Sequence, residues 1–340
     1  MHGVHRKKPF RVKITRRHKK KEKMRILFAG TPEFAVPSLV TLCDSTHEVI
    51  ALLSMPDRPR GRSRKPVWPE TKKVAAERGV PVFQPQDLKT PEFGKTLKAL
   101  SPDLIAVVAY GRIFPAAVLN TPPLGCVNVH ASLLPSYRGA APVNWAIAKG
   151  EKETGVTIMQ MDEGMDTGDI LAQKEVPIRE EETAEELSKR LSRDGAQLLL
   201  ETVDRIARND VSPVRQDGNA TTYAPLLSRK DGEVNWDRDA EEIRNLVRAM
   251  TPWPCAHTTL GEKSLKILRA LAGPGNRRPG EIVSVGGESL DVATGNGVLR
   301  ILSLQVEGGR RMDASEFMRG KRDLREGQFM GLSGSSLYPD

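Results

Sequence analysis

Cysteine is scarce in this chain: three residues in 340, at Cys43, Cys126 and Cys255. They lie far apart and match neither a metal-ligand spacing nor a redox pair, which argues against a disulfide scaffold or a zinc module, and no metal is expected. An odd count without a secretory signal reads as reduced thiols of a cytoplasmic protein. Long apolar runs are missing as well. Nothing approaches the roughly 20 residues that span a bilayer, so no membrane association is expected. The first predicted strand is not followed by Gly-x-Gly-x-x-Gly, and the lone Gly30 is poor evidence for a dinucleotide. Internal repeats and low-complexity tracts are absent from the body of the chain. Histidine is rare there too: beyond residue 23 only His47, His130 and His257 occur.

Positive charge, by contrast, is abundant but concentrated. The net charge is +9, yet residues 1–23 alone hold eleven Lys/Arg against the single Glu22, and the remainder is close to neutral. Any argument for nucleic acid must therefore rest on local patches. Residues 1–23 have no apolar periodicity and are expected to be disordered. They contain no serine and no clear amphipathic face, which speaks against a transit peptide. Because Met24 immediately precedes the first strand, the segment reads as a dispensable leader, with a nucleic-acid arm as the competing reading.

The length allows two cores. Apolar strands are predicted at 24–29, 49–54, 80–83, 104–109, 127–130, 155–161 and 170–175, alternating with helices at 32–42, 70–78, 90–100, 142–149 and 183–208. Thr31 is placed to cap the first helix, with Pro32 in its first turn. This alternation predicts an α/β fold with a Rossmann-like, doubly wound and mostly parallel sheet, which binds ligands beyond the carboxyl ends of its strands. Gly30, Ser54, Tyr110 and His130 all fall at such ends. Residues 209–228 are polar, with Pro213, Gly218 and Pro225, and read as a linker. A helix at 240–250 and short strands at 257–260, 265–271, 281–285, 289–293 and 298–305 then suggest a small β-barrel. The expected layout is a leader (1–23), a first domain (24–208), a linker (209–228), a second domain (229–330) and a tail (331–340).

Asn128-Val129-His130 closes one of the predicted strands. Residues two apart on a strand share a face, so the Asn128 amide and the His130 imidazole project together. An amide donor beside an imidazole suits acyl chemistry: one stabilises a developing oxyanion while the other moves a proton. A carboxylate to orient the imidazole could come from Asp162, Asp166 or Asp169, which sequence geometry alone does not separate. Loop 58–65 carries Arg58, Arg60, Arg62, Arg64 and Lys65 without an acid. Such runs are usually solvated surface, but this one follows the second strand and overhangs the same mouth as His130. It is also rich in arginine, which suits phosphate and base-edge contacts. In the last third, clusters at Arg310-Arg311 and Arg319–Arg325, with scattered Lys263, Lys266 and Arg269, either form one basic face or make ordinary surface ion pairs.

The run Asn128-x-His130-x-Ser132-Leu133-Leu134-Pro135-x-x-Arg138-Gly139-Ala140-Ala141-Pro142 resembles the folate-dependent formyltransferases. The resemblance extends from Met24 to about Gln328 through Phe28-Ala29-Gly30-Thr31-Pro32, Pro56-Asp57-Arg58-Pro59-x-Gly61-Arg62, Val108-Ala109-Tyr110-Gly111, Asp166-Thr167-Gly168-Asp169 and Pro252-Trp253-Pro254. It is strongest to the members that formylate methionine on initiator tRNA. It implies the formyltransferase fold followed by an OB-like barrel, 10-formyltetrahydrofolate as co-substrate, initiator methionyl-tRNA as partner, and a monomer. It selects Asp166 among the three aspartates and makes Asn128, His130 and Asp166 the catalytic set. Ser132, Leu133, Leu134 and Pro135, with Tyr110 and Gly111, become the folate site. The loop carrying Arg58, Arg60, Arg62, Arg64 and Lys65 becomes a tRNA contact. The sequence departs from the family's pattern at Arg60, an added cation, and at Trp68-Pro69-Glu70. A formyltransferase for a small amine would share the same three catalytic residues without needing the basic loop or the barrel.

Overall fold

The computed structural model describes residues 20–59, 66–321 and 323–331. Seven strands build the first sheet: β1 (Arg25–Gly30), β2 (Glu48–Leu53), β3 (Val82–Phe83), β4 (Leu104–Val108), β5 (Cys126–His130), β6 (Glu153–Gln160) and β7 (Ile170–Pro177). Their order is β7-β6-β5-β4-β1-β2-β3. The five strands from β5 to β3 run parallel, and β6 pairs antiparallel to β5. The order reverses at β1, so the crevice for a ligand lies at the ends of β1 and β4. All five residues of β4, Leu-Ile-Ala-Val-Val, are buried, as expected of a strand covered on both faces.

Local chemistry explains how the helices start and pack. Helix Pro91–Leu100 begins with Pro in its first turn, and the Thr90 hydroxyl accepts the Phe93 N–H at 3.2 Å. The first helix departs from expectation. A short 3-10 turn, Glu33–Ala35, precedes helix Val36–Cys43, and no side chain caps either one. Thr31 is committed elsewhere: its hydroxyl donates to the Tyr110 carbonyl (2.9 Å) and accepts the Met55 N–H (3.3 Å), tying together the exits of three strands. Gly30 is required by close approach, because a Cβ there would lie 2.8 Å from Ala35 and 2.9 Å from the Val108 carbonyl. On the other side of the sheet, helix Ala184–Ala207 presses Gly195 onto the Val129 and Val156 methyls, where a Cβ would sit at 2.9 and 3.1 Å. Val129 thus faces this helix, which leaves Asn128 and His130 on the opposite face of β5. Lys21, near the start of the described chain, donates its backbone N–H to the Ala207 carbonyl (3.1 Å) and pairs its ammonium with Asp103. Residues 1–19 of the basic leader and 332–340 of the tail lie outside the described residues.

The chain divides into two compact units that interleave along the sequence. One comprises the described residues of Met1–Gly139, Thr154–Val176 and Ser188–Tyr223, and the other those of Ala140–Glu153, Pro177–Leu187 and Ala224–Asp340. In the second unit, helix Pro142–Ala148 packs on helix Ala240–Met250, with the Asn144 side chain donating to the Ala249 carbonyl at 2.7 Å. The rest of that unit is an antiparallel sheet of β8 (Ala256–Leu260), β9 (Lys263–Gly273), β10 (Ile282–Gly286), β11 (Ser289–Ala293), β12 (Val298–Val306) and β13 (Arg311–Asp313). Its order is β8-β9-β12-β11-β10, with β13 on β12. The free edges are those of β8 and β10, and one segment meets both. Gly331 donates its N–H to the Thr259 carbonyl (2.9 Å) and Met330 to Gly280 (2.9 Å), while the Ile282 N–H reaches Gln328 (2.8 Å). Residues 327–331 therefore close the sheet on itself and remove its edges. Trp236, Leu265, Ile267, Leu290, Leu299, Ile301, Leu304 and Phe317 fill the interior.

Candidate active site

β5 delivers Asn128 and His130 to the carboxyl end of the parallel sheet, beside Val107 of β4. His130 is buried, and its Nε2 lies 3.0 Å from the Tyr137 carbonyl. A carbonyl only accepts, so Nε2 carries a proton and Nδ1 holds the lone pair in the neutral ring. Nδ1 faces Asp166 Oδ2 at 3.7 Å, beyond hydrogen-bond range. The imidazole is thus oriented by a main-chain carbonyl, and Asp166 supplies a negative charge next to its basic nitrogen. The half-buried Asn128 side chain shares this face and hydrogen-bonds to no described residue.

Asp166 is itself held. It adopts φ +54°, a left-handed conformation that Asp tolerates better than most residues. Its Oδ2 accepts the Gly139 N–H at 2.9 Å. Gly168 lets the loop return against β6: a Cβ there would lie 1.6 Å from the Gln160 carbonyl. Asp162 and Asp169 have other tasks. Asp162 Oδ1 accepts the Gly164 N–H (3.0 Å) and the Thr167 hydroxyl (2.6 Å), shaping the turn, and the Asp169 carbonyl accepts the Gln160 N–H (2.8 Å). Only Asp166 of the three makes an ion pair with His130.

The stretch Ser132-Leu133-Leu134-Pro135 leaves β5 as a tightly fastened turn. The Thr157 hydroxyl donates to the Ser132 carbonyl (2.7 Å) and accepts the Leu134 N–H (3.1 Å), and Gln173 donates to the Leu134 carbonyl (2.9 Å). The Ser132 hydroxyl donates to the Ser136 carbonyl (2.6 Å), and the Leu134–Pro135 peptide is cis. Leu133 lies across Gly155, where a Cβ would stand 2.4 Å from its Cδ2. Most backbone polar groups of Ser132 and Leu134 are therefore satisfied internally. Tyr110 follows β4, packs edge-on to Phe114 at 5.5 Å and is 2 % exposed. Its hydroxyl finds no partner, and burial pushes its phenol above the ordinary tyrosine value. Gly111 turns the chain at φ +94°.

Arg58 opens the basic loop in a short antiparallel pairing of Arg58–Pro59 with Pro66–Val67. Arg60, Arg62, Arg64 and Lys65 lie outside the described residues. The loop's base is pinned: Lys72 reaches both Asp57 oxygens (2.8 and 2.7 Å) and Gln84 (2.9 Å), and it sits 4.8 Å from the Trp68 ring centroid. Lys72 and Gln84 together hold the Asp57 carboxyl below the usual carboxylate range.

The antiparallel sheet sorts its cations into two classes. Arg269 pairs with Glu181 (2.7 Å), Arg300 with Asp291 (3.7 Å), and Arg310 with Glu316. Lys266 and Arg311 make no ion pair among the described residues. Strand register sets them in one row, His257–Lys266–Gln305–Arg311, which contains no acid.

Among the described residues no cluster of His, Cys, Asp and Glu suits a metal ion, and no helix is long and apolar enough to cross a membrane. Several residues that shape the site escaped the sequence reading. Tyr137 and Gly139 act through backbone groups, which leave no side-chain signature. Thr157, Gln173 and Gln216 are polar residues that only the fold brings to the turn and the loop.

Comparison with known proteins finds relatives along nearly the whole chain. The family pattern described as "Formyl transferase" matches residues 23–203, and "Formyl transferase, C-terminal domain" matches 226–322. A methionyl-tRNA formyltransferase of Citrifermentans bemidjiense is 48% identical over 314 residues, covering 92% of this chain and 98% of that protein. One of Thermodesulfovibrio yellowstonii is 48% identical over 302 residues, covering 89% and 97%. In fold, the chain resembles the solved N-formyltransferase of Helicobacter canadensis (TM-score 0.62, 20% identity, 82% of this chain and 99% of that one). It also resembles the methionyl-tRNA formyltransferase of Clostridium thermocellum (TM-score 0.52, 21% identity, 73% and 93%). An N-terminal and a C-terminal half that both match, together with relatives aligned almost end to end, place this chain in the methionyl-tRNA formyltransferase family.

Proposed function

We propose that this chain transfers the formyl group of 10-formyltetrahydrofolate to the amino group of methionine on initiator tRNA, as a cytoplasmic monomer, with Asn128, His130 and Asp166 carrying the chemistry. One observation supports the residue roles above all. Nε2 of His130 is committed to the Tyr137 carbonyl, so its basic Nδ1 faces the Asp166 carboxylate at 3.7 Å beside the uncommitted Asn128 amide.

The neutral α-amine of the methionyl group attacks the formyl carbon, forming a C–N bond while the formyl oxygen takes up negative charge. Asn128 donates a hydrogen bond to that oxygen. His130 Nδ1 receives the proton the amine must lose, and Asp166 stabilises the resulting imidazolium. Collapse re-forms the carbonyl and breaks the bond to folate N10, which takes up one proton, so protons balance over the cycle. A lost oxyanion donor costs about 10²–10³ in rate, and general acid–base help contributes about 10²–10⁴.

The Ser132-Leu133-Leu134-Pro135 turn, with Tyr110 and Gly111, walls the folate. Internal hydrogen bonding keeps the turn rigid and its leucines available as apolar surface for a flat ring. Residues 24–208 carry the catalytic side chains, 209–228 brace them and lead on to residues 229–330, and the latter bind tRNA together with Arg58, Arg60, Arg62, Arg64 and Lys65. The unpaired row through Lys266 and Arg311 favours an RNA acceptor over a small amine.

Formylation is measured with 10-formyltetrahydrofolate on methionyl initiator tRNA, methionyl elongator tRNA and free methionine. Rapid turnover on the initiator alone is expected. Turnover on none of them by folate-binding protein would redirect the reading to a small-amine acceptor.

A further inference from the structure

Gln216 belongs to the polar stretch after the long helix, where the sequence suggested only a connector. Its side chain is nonetheless 8 % exposed and fully engaged. Val214 pairs antiparallel with Ile170, through hydrogen bonds of 2.8 Å in both directions, and two residues on this pairing sets Gln216 opposite Gly168. Gln216 Nε2 donates to the carbonyls of Asp166 (2.9 Å) and Gly168 (2.7 Å). Its Oε1 accepts from Arg138 Nε (3.1 Å) and from a terminal guanidinium nitrogen of Arg138 (2.6 Å). Arg138 is buried at 7 % exposure and stands between the two residues that touch the catalytic pair: Tyr137, whose carbonyl orients His130, and Gly139, whose N–H holds the Asp166 carboxylate. The same segment fastens that turn again further on, with Thr222 accepting the Tyr137 N–H through its hydroxyl (2.8 Å) and the Arg138 N–H through its carbonyl (2.9 Å).

We propose that Gln216 is a positioning residue for formyl transfer: one amide locks the Asp166 loop to the Tyr137–Gly139 turn and so sets the spacing of Asp166 from His130. This rests on the catalytic roles given above. Two observations make the amide specific. The two carbonyls require two donor hydrogens and the guanidinium requires an acceptor, and of the side chains only Asn and Gln offer two donor hydrogens and a carbonyl acceptor on one planar group. Asp166 also holds a left-handed backbone, so its carbonyl has a fixed direction that Gln216 satisfies. Gln216 reaches no reacting atom. Its effect passes through Asp166, and a displacement of about 1 Å at such a site can cost on the order of 10²-fold in rate.

The test uses the full chain and initial-rate formylation of methionyl-tRNA. Gln216→Met keeps the length and removes every hydrogen bond. Gln216→Glu keeps an acceptor for Arg138 but turns an oxygen toward the two carbonyls. Both are expected to lower kcat about 10- to 100-fold, with KM for each substrate changed less than about threefold. The decisive measurement is a double-mutant cycle. In the Asp166→Ala background Gln216→Met should cost less than about twofold, because the group it positions is gone. Equal losses in both backgrounds would show a general structural role and overturn the proposal, as would near-full kcat in either single variant. Should Gln216→Met not fold, Gln216→Asn supplies the same cycle with a milder change. Failure of the wild-type chain to formylate methionyl-tRNA would instead sink the functional reading, so the two failures are distinguishable.

Discussion

The two sheets of this molecule bury their strands in opposite ways. In the parallel sheet β4 is buried at all five positions, and neither face is left for a partner. In the antiparallel sheet β9 alternates: Leu265, Ile267 and Ala270 turn inward, while Lys263, Lys266 and Arg269 are exposed. The lesson concerns where function can reside. A sheet covered on both sides offers only the ends of its strands, and Asn128, His130 and the Asp166 loop gather there. A closed antiparallel sheet keeps one face wet, so its register can lay cations in a row without disturbing the core.

Substitutions can break this contrast at several strengths. The largest effects belong at the strand ends. His130→Ala is expected to lower formylation turnover by about 10²–10⁴ and Asn128→Ala by about 10²–10³, with tRNA affinity nearly unchanged. Steady-state kinetics beside a tRNA-binding titration checks this, and near-full turnover in either variant removes that residue from the mechanism. Next comes the interior of the closed sheet. Leu304 is fully buried, so Leu304→Ala should cost about 2–5 kcal/mol in denaturant unfolding. Lys266→Ala on the wet face of the same sheet should stay within about 0.5 kcal/mol.

The face itself is probed by salt. Lys266→Ala and Arg311→Ala should each reduce by about one the slope of log affinity for tRNA against log salt, with kcat on saturating tRNA unaltered. Arg62→Ala in the basic loop should impair use of tRNA while folate binding is preserved. An unchanged slope in the first two would leave the row as plain surface, and unimpaired use of tRNA by Arg62→Ala would do the same for the loop. The smallest expected effect is at the base of the loop. The Asp57 carboxyl is held below its ordinary value, so the contribution it makes is present above about pH 4 and is lost only as pH falls through its lowered value. The fluorescence of Trp68, which Lys72 overlies, should therefore change below the ordinary carboxylate range in the native chain. Asp57→Asn should abolish that transition.

Much of this was legible in the sequence, for identifiable reasons. Helix Ala240–Met250 and strand Ser289–Ala293 stand where periodicity and turn residues set them, because side-chain pattern alone fixes such elements. The pairing of Asn128 with His130 on one face followed from the two-residue repeat of a strand. Thr31 was misread because a capping residue can be claimed by tertiary partners, here Tyr110 and Met55. The choice among Asp162, Asp166 and Asp169 needed either the family pattern or the fold, since all three sit in one turn-rich stretch. Main-chain groups such as the Tyr137 carbonyl stay invisible, for every residue has one. Gln216 stayed invisible because its partners lie some fifty and eighty residues away in sequence.

The closing segment of the antiparallel sheet has a consequence for synthesis of the chain. Leu260 of β8 pairs with Met330, and Glu281, just before β10, pairs with Phe329. Until those residues leave the ribosome, the end of β8 beyond its pairing with Glu233 and the edge of β10 stand open, each a template for pairing with another nascent chain. Most strand pairs of this sheet join neighbours in sequence, so the closing contacts, which join distant residues, are its slow and late step.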